Sequence, residues 1–449
     1  MSKQRIQLSD HFTYPRLLRF VLPCIGTMLF TSIYGIVDGL CVSNFVGKTA
    51  FAAVNLIMPL PMLLGTIGFM LGTGGSAIVG ITLGEGDQKK ADRYFTLFLL
   101  AALVSVSVLA VLGIVFLRPI AVLLGAKGEL LDYAVRYGRI LMVSLPTFAL
   151  QNMFQSFFVT AEKPHLGFWF TVGAGCTNMV LDVLMVGIWG WGVEGAAIAT
   201  FISQLVGGVL PVFYFIDRSN SSRLHLCKTS FYSKVLRDAC INGSSELMTN
   251  LSMSLVNILY NFQLLRLAGE NGVAAYGVIM YAAFLFVAVF VGYAVGSAPI
   301  VSFHYGARNH AEVHNLYRKS LRLIAVVAVT LTLASMFTIP CVARIFVGYD
   351  AELLALTSRA FRLYALSFLI MGFNVYASSF FTALGDGVTS ALISFLRTLA
   401  FQVIAILLLP LLLGIDGIWL AVTAAELAAL AVSAAMLLTK DKVFHYRKA

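Results

Sequence analysis

Asp182 lies four residues after Asn178 in the apolar stretch NMVLDVLMVGIWGWGVEGAAIAT, residues 178–200. Side chains four residues apart share one face of a helix, so this carboxylate and amide oxygen can together coordinate a small cation or share a proton. A carboxylate at the centre of a spanning helix costs about 2.5–3.5 kcal/mol on insertion scales. We therefore expect Asp182 to be protonated or to face a solvated interior. Asp38, in the outer part of the first apolar run, is a second such carboxylate, and its alternative place is the interfacial end of its helix.

The surrounding chain is strongly apolar. Of its 449 residues, 59% are hydrophobic and 12% are charged, and the mean hydropathy is +0.88, which is typical of an integral membrane protein. The formal charge is +10. Because Lys and Arg concentrate on the side of the termini, we interpret this charge as a mark of loops that stay in the cytosol and not as a surface that binds nucleic acid. Apolar runs long enough to span a bilayer are predicted near 16–42, 50–82, 94–117, 133–160, 166–189, 194–216, 239–265, 272–304, 320–346, 357–383, 388–412 and 416–439.

The two halves of the chain repeat one another. A shift of 222 residues aligns GVEG at 192–195 with GIDG at 414–417, and the same shift aligns Asn152 with Asn374. Chance matches of small residues are the alternative, but one offset holds across most of the half. Because each half has an even number of spans, the repeats are parallel and are related by an axis along the membrane normal.

The predicted fold is therefore an all-α membrane protein with twelve transmembrane helices in two duplicated six-helix lobes, residues 1–222 and 223–449. Two such lobes indicate a transporter that works by alternating access. A channel is the competing interpretation, but the sequence contains no repeated filter-like loop. It also contains no phosphate loop and no HExxH motif, so we expect an ion gradient to supply the energy and we expect no enzyme activity.

Several motifs together resemble the multidrug and toxic compound extrusion (MATE) family. They are VDGLCVSNFVGKTAFAAVNLIMP (37–59), GTGGSAIVGITLGEGDQKKA (72–91), residues 178–200 quoted above, and AVGSAPIVSFHYGARN (294–309). The polar segment INGSSELMTNLS (241–252) resembles sequences of the MepA-like bacterial branch of this family. The resemblance covers essentially the whole chain and implies a V-shaped, cation-coupled antiporter that expels amphipathic, often cationic, drugs and dyes.

The resemblance also implies a cation-binding cluster in the first lobe, in which a proline permits the first helix to bend. The matching residues here are Pro23, Asp38, Asn152, Asn178, Asp182 and Thr200.

The second lobe departs from the variant of the family that uses carboxylates there. The repeat places Tyr260 opposite Asp38 and Ile404 opposite Asp182, so the same acidic pair is missing. Either Glu246 acts as a functional carboxylate, or an internal ion pair forms between Glu246 and Arg397 or between Arg397 and Glu426. The second-lobe candidates are Glu246, Asn257, Tyr260, Asn261, Asn374, Arg397 and Glu426.

Aromatic and methionine side chains are the candidates for the substrate cleft, because aromatic faces attract lipophilic cations. Their alternative role is packing or contact with lipid. These candidates are Tyr34, Tyr276, Met280, Tyr281, Phe284 and Tyr293.

The expected function is efflux of amphipathic organic cations coupled to H⁺, which we favour over Na⁺. The alternative is a flippase for lipid-linked precursors. We expect a monomer in the inner membrane of a bacterium, with both termini cytoplasmic, drugs and dyes as ligands, and no nucleic-acid partner. No metal site and no cofactor besides the coupling ion are predicted.

Overall fold

The structure, a computed structural model, describes residues 6–46, 48–348 and 350–447, and it leaves the side chains of residues 38–45, 48, 51 and 345 undescribed. Within these ranges the regular structure is helical throughout. The N-terminal lobe consists of α1 (Tyr14–Phe45), α2 (Lys48–Ile57), α3 (Pro59–Gly84), α4 (Gln88–Leu123), α5 (Gly128–Thr160), α6 (Pro164–Asp182), a π-helical turn (Val183–Ile188), α7 (Gly192–Gly208) and α8 (Leu210–Ile216). The C-terminal lobe consists of α9 (Ser233–Gly306), α10 (His310–Val347), α11 (Ala351–Ala365), α12 (Phe368–Ala383), α13 (Gly387–Phe395), a π-helical turn (Leu396–Ala400), α14 (Phe401–Leu413), α15 (Ile415–Thr439) and α16 (Asp441–Phe444).

The described helices account for the expected spans. Nine are long and apolar enough to cross a membrane, and α11 with α12 forms another span that is bent by 46°. α9 has 74 residues, about 110 Å at 1.5 Å per residue, which is too long for one crossing of a core about 30 Å thick. Gly269, with φ 60° and ψ −150°, divides α9 into two spans. The less apolar α5, with 33 residues, completes the set of twelve.

The outer surface is apolar, as a bilayer requires. On α4, Val104, Val108, Val111 and Val115 are each more than half exposed. Their spacing of three or four residues puts them on one helix face. A contiguous exposed stripe of this kind is suited to contact with lipid chains.

The duplication is visible in the backbone. Gly192 and Gly414, which the 222-residue shift pairs, both have φ 60°, a conformation that favours glycine. A π-helical turn also occurs in the corresponding span of each lobe, after α6 in the N-terminal lobe and between α13 and α14 in the C-terminal lobe. One predicted span, residues 50–82, is instead two helices that meet at Met58, because Pro59 has no N–H group for the helical ladder.

The lobes touch most closely on the side of the chain termini. A Cβ built on Gly243 would lie 1.9 Å from the Met70 carbonyl oxygen, and one on Gly84 would lie 2.0 Å from the Phe303 carbonyl oxygen. These glycines lie near the ends of α3 and α9 that share the side of the termini. Gly277, near the opposite end of its span, has no described atom within 4 Å of a built Cβ. The lobes are therefore closed on the side of the termini.

α1 also crosses between the lobes. A Cβ built on Gly292 of α9 would lie 2.5 Å from the Ile25 Cα atom, so α1 packs directly on the C-terminal lobe. α1 runs through Pro23 as one helix, and the Thr27 hydroxyl donates a 2.9 Å hydrogen bond to the Pro23 carbonyl oxygen. Pro23 thus lies next to the contact between the lobes.

An N-terminal arm, residues 6–13, is bound to both lobes on this same side. Glu162, between α5 and α6, accepts a 2.8 Å hydrogen bond from the Leu8 amide. Glu312 on α10 accepts a 2.9 Å hydrogen bond from the Phe12 amide and pairs with His11 at 2.6 Å. Leu8 and Phe12 are fully buried. The arm therefore adds to the closure between the lobes.

The close backbone contacts make a first prediction. We expect Gly243→Val to move the lobes apart on the side of the termini, because overpacking costs about 1–3 kcal/mol and the Met70 carbonyl cannot yield by rotating a side chain. The distance between spin labels at Lys89 and Ala311 in a cysteine-free background measures this separation. The matched control, Gly277→Val, is expected to leave the distance unchanged, and equal distances in both variants would contradict the prediction.

A second prediction concerns the arm. Glu312→Ala removes the acceptor of the Phe12 amide, so we expect hydrogen exchange at Phe12 to accelerate roughly tenfold or more, since a buried unpaired donor costs about 1–3 kcal/mol. Glu352→Ala, at an exposed glutamate of α11, is the control. Unchanged exchange at Phe12 in the Glu312 variant would show that burial of the aromatic ring alone holds the arm.

Candidate functional site

The carboxylate at the end of α6 is completely buried. Asp182 is the last residue of α6 and is 0% exposed, and Asn178, one turn earlier, is 2% exposed. Asp182 is not an isolated charge, because it takes part in an interaction with its surroundings. The π-helical turn that follows it, Val183–Ile188, was not predicted, and such turns are frequent at functional sites.

The face of α6 that carries this pair packs against α1. A Cβ built on Gly175 would lie 2.4 Å from Phe30 and 3.3 Å from Tyr34. Gly175, Asn178 and Asp182 follow the three- and four-residue spacing of one helix face. Tyr34, predicted to line the substrate cleft, is therefore a neighbour of the Asn178–Asp182 face.

Asp38 belongs to α1 by its backbone, but its side chain lies outside the described part of the structure. Its placement beside Asp182 stays a prediction. Pro23 precedes Asp38 by fifteen residues, which is about 22 Å along a helix. Pro23 can therefore act on the path of α1 but cannot belong to the same cation site.

The N-terminal lobe also contains buried amides with unused hydrogen-bonding atoms. Within the described residues, neither amide atom of Asn178 has a hydrogen-bond partner, and the same holds for Asn152 Nδ2 and Gln204 Oε1. Buried polar atoms are nearly always satisfied in native proteins, by an ordered water or an ion where the protein supplies no partner. The oxygens Asn178 Oδ1 and Gln204 Oε1 are therefore suited to accept from water or to coordinate a small cation, and the nitrogens Asn152 Nδ2 and Asn178 Nδ2 are suited to donate to water. Gln204 was not among the predicted site residues, although the 222-residue shift pairs it with Glu426.

Thr200 has a more local role. Its hydroxyl donates a 3.0 Å hydrogen bond to the Ala196 carbonyl oxygen. It also lines a small cavity of about 50 Å³ together with Gln204 and Met58. This cavity lies between α3, α5 and α7.

The C-terminal lobe contains a larger cavity of about 170 Å³ between its helices. Tyr260 and Tyr276 stack in its wall with ring centroids 4.9 Å apart. Met253 and Phe284 are about half exposed and lie at its mouth. The lining residues that the sequence analysis had singled out are Asn257, Tyr260, Tyr276, Met280, Phe284, Arg397 and Glu426.

Glu426 and Arg397 form the charged part of this cavity. Asn374 Nδ2 donates to Glu426 Oε2 at 2.7 Å, and Arg397 Nη1 lies 3.8 Å from Glu426 Oε1. Glu246 is within electrostatic reach of Arg397, but within the described residues no ion pair shorter than 4 Å joins the two. Of the two pairings that the sequence left open, the structure contains the one between Arg397 and Glu426.

Three candidates lie elsewhere. Tyr293 is buried and donates its hydroxyl to Ser320 at 2.8 Å, Tyr281 stacks on Phe346, and Asn261 is exposed. None of the three lines the cavity. Other lining residues, notably Tyr364, Met371 and Gln402, could not be identified from the sequence, because their shared direction depends on how three separate helices are rotated.

The comparison with known proteins also divides the chain into two similar halves. A model of the MatE family matches residues 23–184 and 247–408, once in each lobe. The multidrug export protein MepA of Staphylococcus saprophyticus is 21% identical over 428 residues, which cover 95% of this chain and 94% of the relative. MepA of Staphylococcus haemolyticus is 22% identical over 391 residues, which cover 86% and 84%.

Solved structures agree with the fold over the full length. An outward-facing multidrug resistance MATE family transporter superposes with a TM-score of 0.92 at 22% identity, covering 100% of both chains. A MOP superfamily transporter from Pyrococcus furiosus gives 0.90 at 23% identity with the same coverage. With the family model matching well over half of the sequence, and once in each lobe, the chain belongs to the MatE family.

Proposed function

We propose that the protein is a cation-coupled antiporter that exports amphipathic organic cations by alternating access. The observation that carries this proposal is the fully buried carboxylate Asp182 with Asn178 on the α1-facing side of α6. Two MepA relatives named as multidrug export proteins support the choice of cargo. The closed contact between the lobes on the side of the termini supplies one of the two conformations that alternating access needs.

The coupling ion that we propose is H⁺. An ionised carboxylate is costly in an apolar interior unless it is paired, so a change in its surroundings readily changes its protonation. A proton needs one lone pair, whereas Na⁺ needs several oxygen ligands, of which Asn178 and Asp182 can supply only part. Sodium coupling is the alternative, with Asp38 and Asn152 as the additional ligands.

The cavity of the C-terminal lobe is the proposed cargo site. Tyr276 and Phe284 offer aromatic faces, which attract lipophilic cations. Met280 offers a flexible, polarisable side chain, which adapts to different shapes. Glu426 contributes a negative charge on the cavity wall. We propose that the protein works as a monomer in the inner membrane of a bacterium, with both termini cytoplasmic.

The second function, flipping of a lipid-linked precursor, is favoured by one observation. Arg397 lines the cavity and is able to bind an anionic headgroup. Glu426 lies beside it, however, and the pair has no net charge. Efflux therefore stays the first proposal.

Asp182 supplies the main prediction of this proposal. In proteoliposomes, we expect an imposed proton gradient to drive dye efflux by the parent protein. Asp182→Asn, which cannot release a proton, is expected to lower the rate at least about tenfold while the protein stays folded. Asp38→Asn is expected to behave in the same way. The measurement is repeated with a sodium gradient to separate the two ions.

Asp132→Asn is the matched control, because Asp132 is an exposed aspartate of α5, and it is expected to transport at the parent rate. Normal transport by Asp182→Asn would make that carboxylate structural and would move attention to Glu246. Efflux driven by sodium alone would replace the proton with sodium in the proposal.

A separate prediction distinguishes efflux from lipid flipping. We expect a deletion strain to become more sensitive to cationic drugs while it continues to make its cell envelope at the normal rate. Incorporation of a labelled envelope precursor measures the second property. A defect in incorporation without a change in drug sensitivity would favour the flippase.

A further inference from the structure

Basic side chains from two helices converge on the N-terminal arm. Arg16 Nη1, in the first turn of α1, donates a 3.3 Å hydrogen bond to the His11 carbonyl oxygen. Lys319 Nζ, on α10, donates a 2.6 Å hydrogen bond to the next carbonyl oxygen, that of Phe12. Because the two acceptors are consecutive along the backbone, Arg16 and Lys319 reach the same short stretch of the arm.

Tyr14, the first residue of α1, brings in a third basic group. Lys319 Nζ lies 5.4 Å from the centroid of its ring, where an aromatic face attracts a cation. Arg322, one turn farther along α10, donates from Nη1 to the Tyr14 hydroxyl oxygen at 3.5 Å. We call Arg16, Lys319 and Arg322 the basic cluster.

The basic cluster has no acidic partner within the described residues, where every ion pair of 4 Å or less lies elsewhere. Glu312, on the same helix as two members of the cluster, pairs with His11 and accepts from the Phe12 amide. A guanidinium has five N–H donors and an ammonium has three, so each member keeps unused donors after its bond to the arm or to the tyrosine. Arg16 and Arg322 are exposed and can direct these donors to a ligand.

α10 continues from the basic cluster into an apolar surface that faces lipid. Val326, Val329, Leu333 and Phe337 are each more than half exposed. Their spacing of three or four residues puts them on one helix face with Arg322. The stretch from Val326 to Phe337 rises about 16 Å, which is about half of a hydrocarbon core about 30 Å thick. The basic cluster therefore stands at the end of an apolar stripe that is one leaflet deep.

α1 shows the same change from charge to apolar surface. Arg19 is exposed, and Leu22, one turn later, is 57% exposed. Both helices that carry the basic cluster thus pass from basic to apolar exposed side chains within about one turn.

This order of charge and apolar surface fits the shape of an anionic phospholipid. Lys and Arg near the membrane surface attract anionic headgroups, and a guanidinium can bind a phosphate through two parallel hydrogen bonds. A soluble anion would match the charges but not the apolar stripe. A phospholipid with a choline headgroup would match the stripe, but it would bring a positive charge of its own to the cluster.

We propose that an anionic phospholipid, from the leaflet on the side of the termini, binds between the start of α1 and α10. Its phosphate lies on the basic cluster, and an acyl chain follows the exposed face of α10. The lipid adds a link between α1 and the C-terminal lobe, beside the arm that is bound to both lobes. Since a ligand favours the conformation that it binds better, the lipid stabilises the arrangement that is closed on this side. The inference goes beyond the proposed function and depends neither on its cargo nor on its coupling ion.

The first test measures affinity. Native mass spectrometry of the purified full-length protein in detergent compares palmitoyl-oleoyl phosphatidylglycerol with the phosphatidylcholine that has the same chains. We expect the parent to bind phosphatidylglycerol more tightly. Arg322→Gln is expected to lower that affinity about fivefold, and the double variant Arg16→Gln with Arg322→Gln about 25-fold, because each basic group near the headgroup contributes about that factor. Affinity for phosphatidylcholine is expected to stay unchanged. Both side chains are exposed, so we expect these variants to fold.

Two controls and a competitor keep this test decisive. Arg322→Lys, which keeps the charge, is expected to lose less affinity than Arg322→Gln. Arg218→Gln, at an exposed arginine between α8 and α9, is expected to bind as the parent does. If Arg218→Gln weakens the binding of phosphatidylglycerol as much as Arg322→Gln, the attraction comes from the general charge of this surface and the proposal is wrong. Displacement of the lipid by an equal concentration of glycerol phosphate would indicate a site for a soluble phosphate compound and would also overturn it.

The second test concerns the lobes. The spin labels at Lys89 and Ala311 are used in nanodiscs made of either lipid. We expect the parent to show a larger fraction of short distances in phosphatidylglycerol than in phosphatidylcholine, and we expect the double variant to show no difference. Equal distances of the parent in the two lipids, or a difference that persists in the double variant, would overturn the effect on the lobes, whereas the affinities alone decide the binding site.

Discussion

A charged side chain in an apolar interior raises the free energy of the protein by several kcal/mol unless a counter-charge or hydrogen bonds offset it. Among the described side chains, the most buried carboxylates of the two lobes are Asp182, at 0% exposure, and Glu426, at 1%. Asp182 shares its helix face with an amide, whereas Glu426 has an amide at 2.7 Å and a guanidinium at 3.8 Å. A carboxylate beside amides can exchange a proton or cation as its surroundings change. A carboxylate beside a guanidinium has a permanent counter-charge, so it is better suited to hold the charge of a ligand.

The duplication explains how the two lobes came to differ. The same shift pairs Asn152 with Asn374 and Gln204 with Glu426. In the C-terminal lobe the asparagine donates to the glutamate, whereas in the N-terminal lobe the corresponding amides have unused atoms within the described residues. The shift also pairs Gly175 with Arg397. Two exchanges, glutamine for glutamate and glycine for arginine, therefore give the pocket of the C-terminal lobe its charged pair. This division of labour is consistent with an ion site in one lobe and a cargo site in the other.

The sequence was sufficient to predict the spans, the repeat and the burial of Asp182, because each depends on hydropathy or on spacing along one helix. It could not choose between Glu246 and Glu426 as the partner of Arg397, since both carboxylates lie on spans that are remote in sequence. It also could not separate Tyr276, in the cavity wall, from Tyr293, whose hydroxyl is bonded to Ser320. These differences depend on the rotation and neighbours of each helix, and hydropathy carries little information about either. The arm could not be predicted because its hydrogen bonds reach Glu162 and Glu312, which are distant in sequence. The π-helical turns could not be predicted because they change only the local backbone hydrogen bonding, which leaves the hydropathy pattern unaltered.

α1 is the element that connects the proposed ion site with the contact between the lobes. Its residues Phe30 and Tyr34 pack on the α6 face that carries Asp182, and Ile25 packs on Gly292 of the other lobe. Pro23, which lacks a backbone donor, lies next to that second contact, so α1 can change its path there at lower cost than an uninterrupted helix. The glycine contacts between the lobes, such as Gly243 with Met70, join closely packed backbone atoms. Such atoms either stay in van der Waals contact or separate, so the distance between the lobes does not change gradually. In the proposed antiport, a change of charge at Asp182 would therefore have a short physical route, through α1, to the interface between the lobes, which alternating access requires to open.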